Sequence, residues 1–137
     1  MNILSILVSA VACFIIGFLF HGPLFGKTWM RLANVTMPEN PDFRMMLKPM
    51  FWNLVTNIVC ASVLSMIIWI ASYSVIMGPM TWYKGMIIGA WLWLGFAATW
   101  TAIDVIWMKK PWKLWLFDSV SFLVSIAAMG AILGAWR

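Results

Sequence analysis

A chain of 137 residues that is 64% hydrophobic and only 9% charged is too apolar for a water-soluble domain. Soluble domains average about 45–50% apolar and about 25% charged residues, and so small a fold can hide only part of its surface. The formal net charge of +5 is spread over connections beside apolar runs, which excludes a nucleic-acid patch and suits the basic loops of a membrane protein.

A helix needs about 20 mostly apolar residues to cross a bilayer, and four runs reach that length. The first covers residues 3–20 and stops at Gly22 and Pro23. No Lys or Arg precedes it, so it lacks the charged start of a signal peptide and reads as a retained helix. The loop over 21–50 follows. Its 27–35 stretch mixes basic and apolar residues and suits the membrane interface. Asn40 with Pro41 predicts the start of a short helix, and Pro49 predicts its end at Lys48. The remaining spans cover 51–72, 83–108 and 112–136, and all six prolines (23, 38, 41, 49, 79 and 111) fall outside them, as helix breaks should. These runs are helices, because an open sheet would leave backbone groups unpaired in hydrocarbon and none alternates like a barrel strand. The expected fold is all-α: a polytopic bundle of four transmembrane helices in one membrane domain over 1–137.

Tryptophans mark the ends of these spans. Trp29, Trp52, Trp107, Trp112 and Trp115 fall near one membrane face and Trp69, Trp82 and Trp136 near the other, as a belt of amphipathic rings does. Lys27, Arg31, Arg44, Lys48, Lys109, Lys110 and Lys113 belong to the first face, against Lys84 and Arg137 on the second. That asymmetry predicts a bacterial inner-membrane protein with its 21–50 loop in the cytoplasm and both termini outside.

Small or polar residues recur at four-residue spacing, which puts each set on one helix face: Ser5, Ser9, Cys13 and Gly17, then Asn53, Asn57, Ala61 and Ser65, then Gly85 and Gly89, then Gly130 and Gly134. Such faces let membrane helices approach closely. They either assemble the bundle or, at Gly130 and Gly134 above all, bind another protomer or subunit. Cys13 and Cys60 lie in apolar runs without a CxxC motif and read as packing residues, not as a disulfide framework.

Asp104 and Asp118 are the acidic residues inside the spans, and His21, Asn53 and Asn57 fall at similar depth near the same face. One reading is a polar pocket holding a cation, a proton or a small polar ligand, with an imidazole that can titrate near neutral pH. The other is a structural network in which the two aspartates pair with Lys109, Lys110 or Lys113 and bond to Asn53 and Asn57. The spacing matches no metal motif, and no catalytic residue or phosphate loop is recognisable. Trp91, Trp93 and Trp100 fall in mid-membrane, where they either pack against helices or contact a hydrophobic ligand or partner. No cofactor is expected beyond a lipid, quinone or pigment contact at that surface.

The run FHGPLFGKTWMRL at 20–32, WLGF at 93–96, KLWL at 113–116 and MGAILGAW at 129–136 resemble the family of domain of unknown function 1761, small bacterial four-helix integral membrane proteins. The resemblance covers nearly the whole chain and implies that fold. It implies no activity, cofactor or catalytic residue. The chain departs from the family pattern at Phe20 and His21, where a Trp-Tyr pair is usual, and at Asp118, where Asn is common.

These features together lead to a non-enzymatic accessory or structural subunit that oligomerises or docks on a larger membrane complex. Its partners would be membrane lipids, further copies of the chain or other membrane subunits, not nucleic acid. The alternative is a small ion- or proton-coupled or small-solute transporter using the polar pocket.

Overall fold

The computed structural model describes residues 2–36, 38–40 and 42–136. Helix α1 (Ile3–His21) begins at Asn2, whose side-chain oxygen accepts the Leu4 N–H at 3.0 Å and so satisfies a free donor of the first turn. A short helix, α2 (Gly26–Ala33), follows and ends where Asn34 turns left-handed at φ 55°.

Helix α3 (Phe43–Ala71) starts at Asp42, which accepts the Arg44 N–H at 3.1 Å. It corrects two expectations. The short loop helix ending at Lys48 and the span from residue 51 are one continuous helix, and Pro49 lies inside it, not at a break. The expected helix start at Pro41 falls outside the described residues. The reason is length: at about 1.5 Å per residue α3 is roughly 44 Å long, well beyond a hydrocarbon core of about 30 Å. Its first turns therefore project from the bilayer. Pro49 deprives the Met45 carbonyl of its helical partner, but Met45 is 69% exposed, so water or headgroups can replace that bond.

The third span is composite. Helix α4 (Trp82–Leu92) continues through a π-helical segment (Trp93–Ala98) into α5 (Thr99–Met108), and Lys109 closes it with a left-handed φ of 55°. Helix α6 (Trp112–Ala135) starts directly after Pro111, where the missing N–H is no loss. Four helical runs, Ile3–His21, Phe43–Ala71, Trp82–Met108 and Trp112–Ala135, are long and apolar enough to cross a membrane, and there is no strand among the described residues. The protein is an all-α, four-span membrane bundle.

Helix α6 is its centre. It packs along α4 on one side and α1 on another, α3 leans on α1, and α3 barely touches α4. Ala10, Leu64, Ile68, Met129 and Leu133 fill the interior at 3% exposure or less. Serines share this interior: Ser5, Ser9, Ser65, Ser119, Ser121 and Ser125 are all buried. Three of the hydroxyls turn back onto nearby backbone: Ser5 donates to the Asn2 carbonyl at 2.8 Å, Ser9 to that of Ile6 at 3.0 Å and Ser125 to that of Ser121 at 2.9 Å. A small side chain that satisfies its own hydroxyl lets neighbouring backbones close in.

The tightest approach joins α4 to α6. A Cβ at Gly85 would lie 2.1 Å from the Gly130 carbonyl oxygen, and one at Gly89 would lie 2.7 Å from that of Ile126. Gly134 meets the Thr81 carbonyl and the Gly85 backbone in the same way. Of the two readings of Gly130 and Gly134, bundle assembly or a second protomer, the geometry is that of assembly within the chain. Both pairs are buried against each other inside one chain, so neither offers a free face. The small-residue stripe of α1 also stops short, since Gly17 has open space where a Cβ would project.

Candidate functional site

The five polar residues of the expected pocket separate into three groups. At the end of α1, His21 Nε2 lies 3.2 Å from Asp118 Oδ1 on α6, and His21 Nδ1 lies 2.9 Å from the Gly17 carbonyl oxygen. Both ring nitrogens face acceptors. A neutral imidazole has one N–H, so the pair is satisfied only when it holds a second proton, on the ring or on the carboxyl. Aromatic edges enclose the ring: Trp29 of α2 at 5.2 Å and Phe117 of α6 at 5.6 Å between centroids. Gly26 allows this, because its backbone approaches the His21 carbonyl so closely that a Cβ would sit 3.0 Å from the oxygen.

The second group lies on the third span. Asp104 Oδ2 accepts a hydrogen bond from Lys110 Nζ at 2.8 Å. The left-handed turn at Lys109 sends the chain back so that Lys110 reaches the carboxylate. The third group lies on α3 and does not join the aspartates. Asn57 Nδ2 donates to Asn53 Oδ1 at 3.3 Å, and Cys13 Sγ of α1 donates to Asn57 Oδ1 at 3.4 Å. The network linking both asparagines to the aspartates is therefore corrected: α3 faces α1 at this depth, not the third span, so its amides find a thiol.

Asp104 and Asp118 do share a cavity. It has a volume of about 250 Å³ between the third span and α6, with Trp93, Thr101, Lys110 and Trp115 among its walls. Its geometry depends on the π segment. A π turn leaves carbonyls without their usual α-helical partners, and in hydrocarbon each must be satisfied locally. Thr99 and Thr101 hydroxyls donate back to the Gly95 and Ala97 carbonyls, both at 2.8 Å. The Ala98 carbonyl accepts Trp115 Nε1 at 3.3 Å, and the same indole reaches Thr101 Oγ1 at 3.1 Å. Trp115 thus ties α6 to the start of α5, a role that the belt assignment missed. Its i, i+3 spacing from Asp118 was the available signal, since it puts both on one face of α6.

The mid-membrane tryptophans diverge. Trp91 and Trp100 point outward at 69% and 74% exposure. Trp93 points inward, and its Nε1 is buried without a hydrogen-bond partner. It stands between the polar cavity and an apolar cleft of about 470 Å³ that also involves Cys60, Leu64, Ile67 and Phe96. At the opposite end of the bundle, Asn2, Ser5, Ser65, Ser72 and Tyr73 border a further opening of about 450 Å³ for which the sequence reading had no expectation. No three metal-ligating side chains come together among the described residues.

No curated protein and no solved structure matches this chain. The pattern of the family described as protein of unknown function (DUF1761) matches residues 4–134, nearly the whole length, and the chain belongs to that family.

Proposed function

We propose that this protein is a non-enzymatic membrane subunit that associates laterally, with a second copy or with another membrane subunit, through its third span. The observation that carries the reading is the thin attachment of that span. Only 11% of its most apolar window is buried, against 39% for the fourth span. Within α5, Val105 alone is buried, while Trp100 and Trp107 stand outward at 74% and 80% exposure. Helix association in lipid depends on packing and interhelical hydrogen bonds, and α5 has little of either within its own chain. A second subunit would supply both.

The transporter reading is weaker. Asn53 and Asn57 stand apart from the cavity that Asp104 and Asp118 share, and the interior between the two ends is filled by Ile68, Met129 and Leu133. The site in the cell belongs to the same proposal: a bacterial inner membrane, with residues 21–50 and the α5–α6 connection on the cytoplasmic side, where seven of the nine basic residues gather. Native mass measurement in mild detergent tests the association. We expect a dimer or a co-purifying subunit, dissociated by Trp100→Ala with Trp107→Ala. A strictly monomeric particle would end this reading. Labelling of Lys48 and Lys113 from outside intact cells would reverse the orientation.

A further inference from the structure

We propose that the cleft between the third span, α6 and α3 is a binding site for one phospholipid with a primary-ammonium headgroup. Two neighbouring spaces build it. The polar one, about 250 Å³, is walled by Asp104, Lys110, Asp118, Thr101 and Trp115. The apolar one, about 470 Å³, is bordered by Cys60, Leu64, Ile67, Phe96 and Ile126. Trp93, Ala97 and Phe122 belong to the walls of both, so the two adjoin along one groove whose charged end and greasy end meet at these side chains. It exists because α3 and α4 barely meet, which leaves that side of the bundle open.

The dimensions suit one leaflet. At about 1.5 Å per residue, the stretch from Leu92 to Asp104 spans roughly 18 Å, and half of a hydrocarbon core is about 15 Å. A headgroup at the level of Asp104 therefore puts its acyl chain against Phe96 and Ile126 near mid-membrane. The charges select the headgroup. Lys110 offers a cation to a phosphate, while Asp104 and Asp118, bonded through one oxygen each to Lys110 and His21, offer their other oxygens as acceptors to an ammonium. A zwitterionic headgroup exchanges partners with these groups without changing net charge. A purely anionic headgroup would bring its phosphate against two carboxylates with no cation of its own to offset them. A choline has no N–H to donate to a carboxylate.

The test uses the full chain, delipidated in mild-detergent micelles and mixed with dioleoyl phosphatidylethanolamine, phosphatidylcholine or phosphatidylglycerol. Bound lipid is counted by native mass spectrometry. Phosphatidylethanolamine is expected at one per chain, about ten-fold tighter than the other two, the worth of one charge-assisted hydrogen bond. Asp118→Asn should lower it to the level of phosphatidylcholine, and Ala97→Phe, at the neck of the groove, should displace it altogether. Equal affinities for the three lipids would overturn the proposal. So would a preference for phosphatidylglycerol, or a preference for phosphatidylethanolamine that survives both substitutions. Should either variant fail to fold, the comparison of lipids on the unaltered chain decides. Subunit count is read separately in the same spectra, so a monomer that binds the lipid would retire only the association proposed above.

Discussion

A methyl group added at Gly85 would sit 2.1 Å from the Gly130 carbonyl oxygen, a contact that only separation of α4 from α6 can relieve. Because the obstruction is backbone, no rotamer change helps. Gly85→Ala should therefore destabilise the bundle by about 1–3 kcal/mol, the usual cost of overpacking. Gly17 is the control. Its surroundings are open, so Gly17→Ala should be neutral or should stabilise by up to about 1 kcal/mol through helix propensity. Unfolding of both variants in mixed micelles checks the contrast, and equal losses would remove the packing argument. The His21–Asp118 pair should matter little to stability, since its side chains are 35% and 48% exposed. Asp118→Asn should cost less than about 1 kcal/mol in the same assay. A larger loss would mean that the pair is shielded from solvent in the membrane.

At the scale of elements, the third span shows how one irregularity positions a site. The π segment from Trp93 to Ala98 widens the helix, and each residue added to a turn rotates everything beyond it by about 100°. That rotation brings Thr101 to Trp115 and Asp104 into the cavity beside Asp118. Deleting Gly95, which has open space around it, should restore α-helical winding and swing α5 away. The check is a short thiol crosslinker between Thr101→Cys and Trp115→Cys, with Cys13 and Cys60 replaced by Ala. Crosslinking should be efficient in the full-length chain and lost on deletion. Unchanged crosslinking would show that the register of α5 does not depend on the extra residue. Pro49 makes a parallel point. A proline predicts a break only when the freed carbonyl has no other partner, and the projecting start of α3 supplies one.

At the scale of the whole molecule, burial is uneven: α6 is held on several sides, while α5 is held at Val105 and through Trp115. Local opening follows local contact density. Amide exchange in detergent should therefore be fastest in α5 among the membrane segments and slowest in α6 around Met129 and Gly130, which are buried. Addition of the lipid or partner that covers the third span should slow α5 selectively. Protection of α5 equal to that of α6 in the isolated chain would contradict the open arrangement.

Much of this architecture was legible one segment at a time. Length and hydropathy decide whether a run crosses a bilayer, because the bilayer is a slab of known thickness. Four spans in an all-α fold therefore followed from residues 3–20, 51–72, 83–108 and 112–136 alone. The glycines of α4 and α6 were visible as faces, and Asp104 and Asp118 were visible as expensive groups in an apolar run. Which face meets which was not visible, since every span carried a plausible small-residue stripe. The choice of α6 as the centre depends on the fit of Gly85 to Gly130 together with the buried serines along α6. The separation of Asn53 and Asn57 from the aspartates depends on the side of α6 that α3 occupies. A π segment has no composition of its own, and it persists here because Thr99, Thr101 and Trp115 take up its carbonyls. The sequence by itself determined the solvent, the spans and the fold class, which each segment settles against the bilayer separately. Tertiary structure alone decided the central helix, the glycine seam and the amphipathic groove, because close packing and hydrogen-bond satisfaction belong to several segments at once.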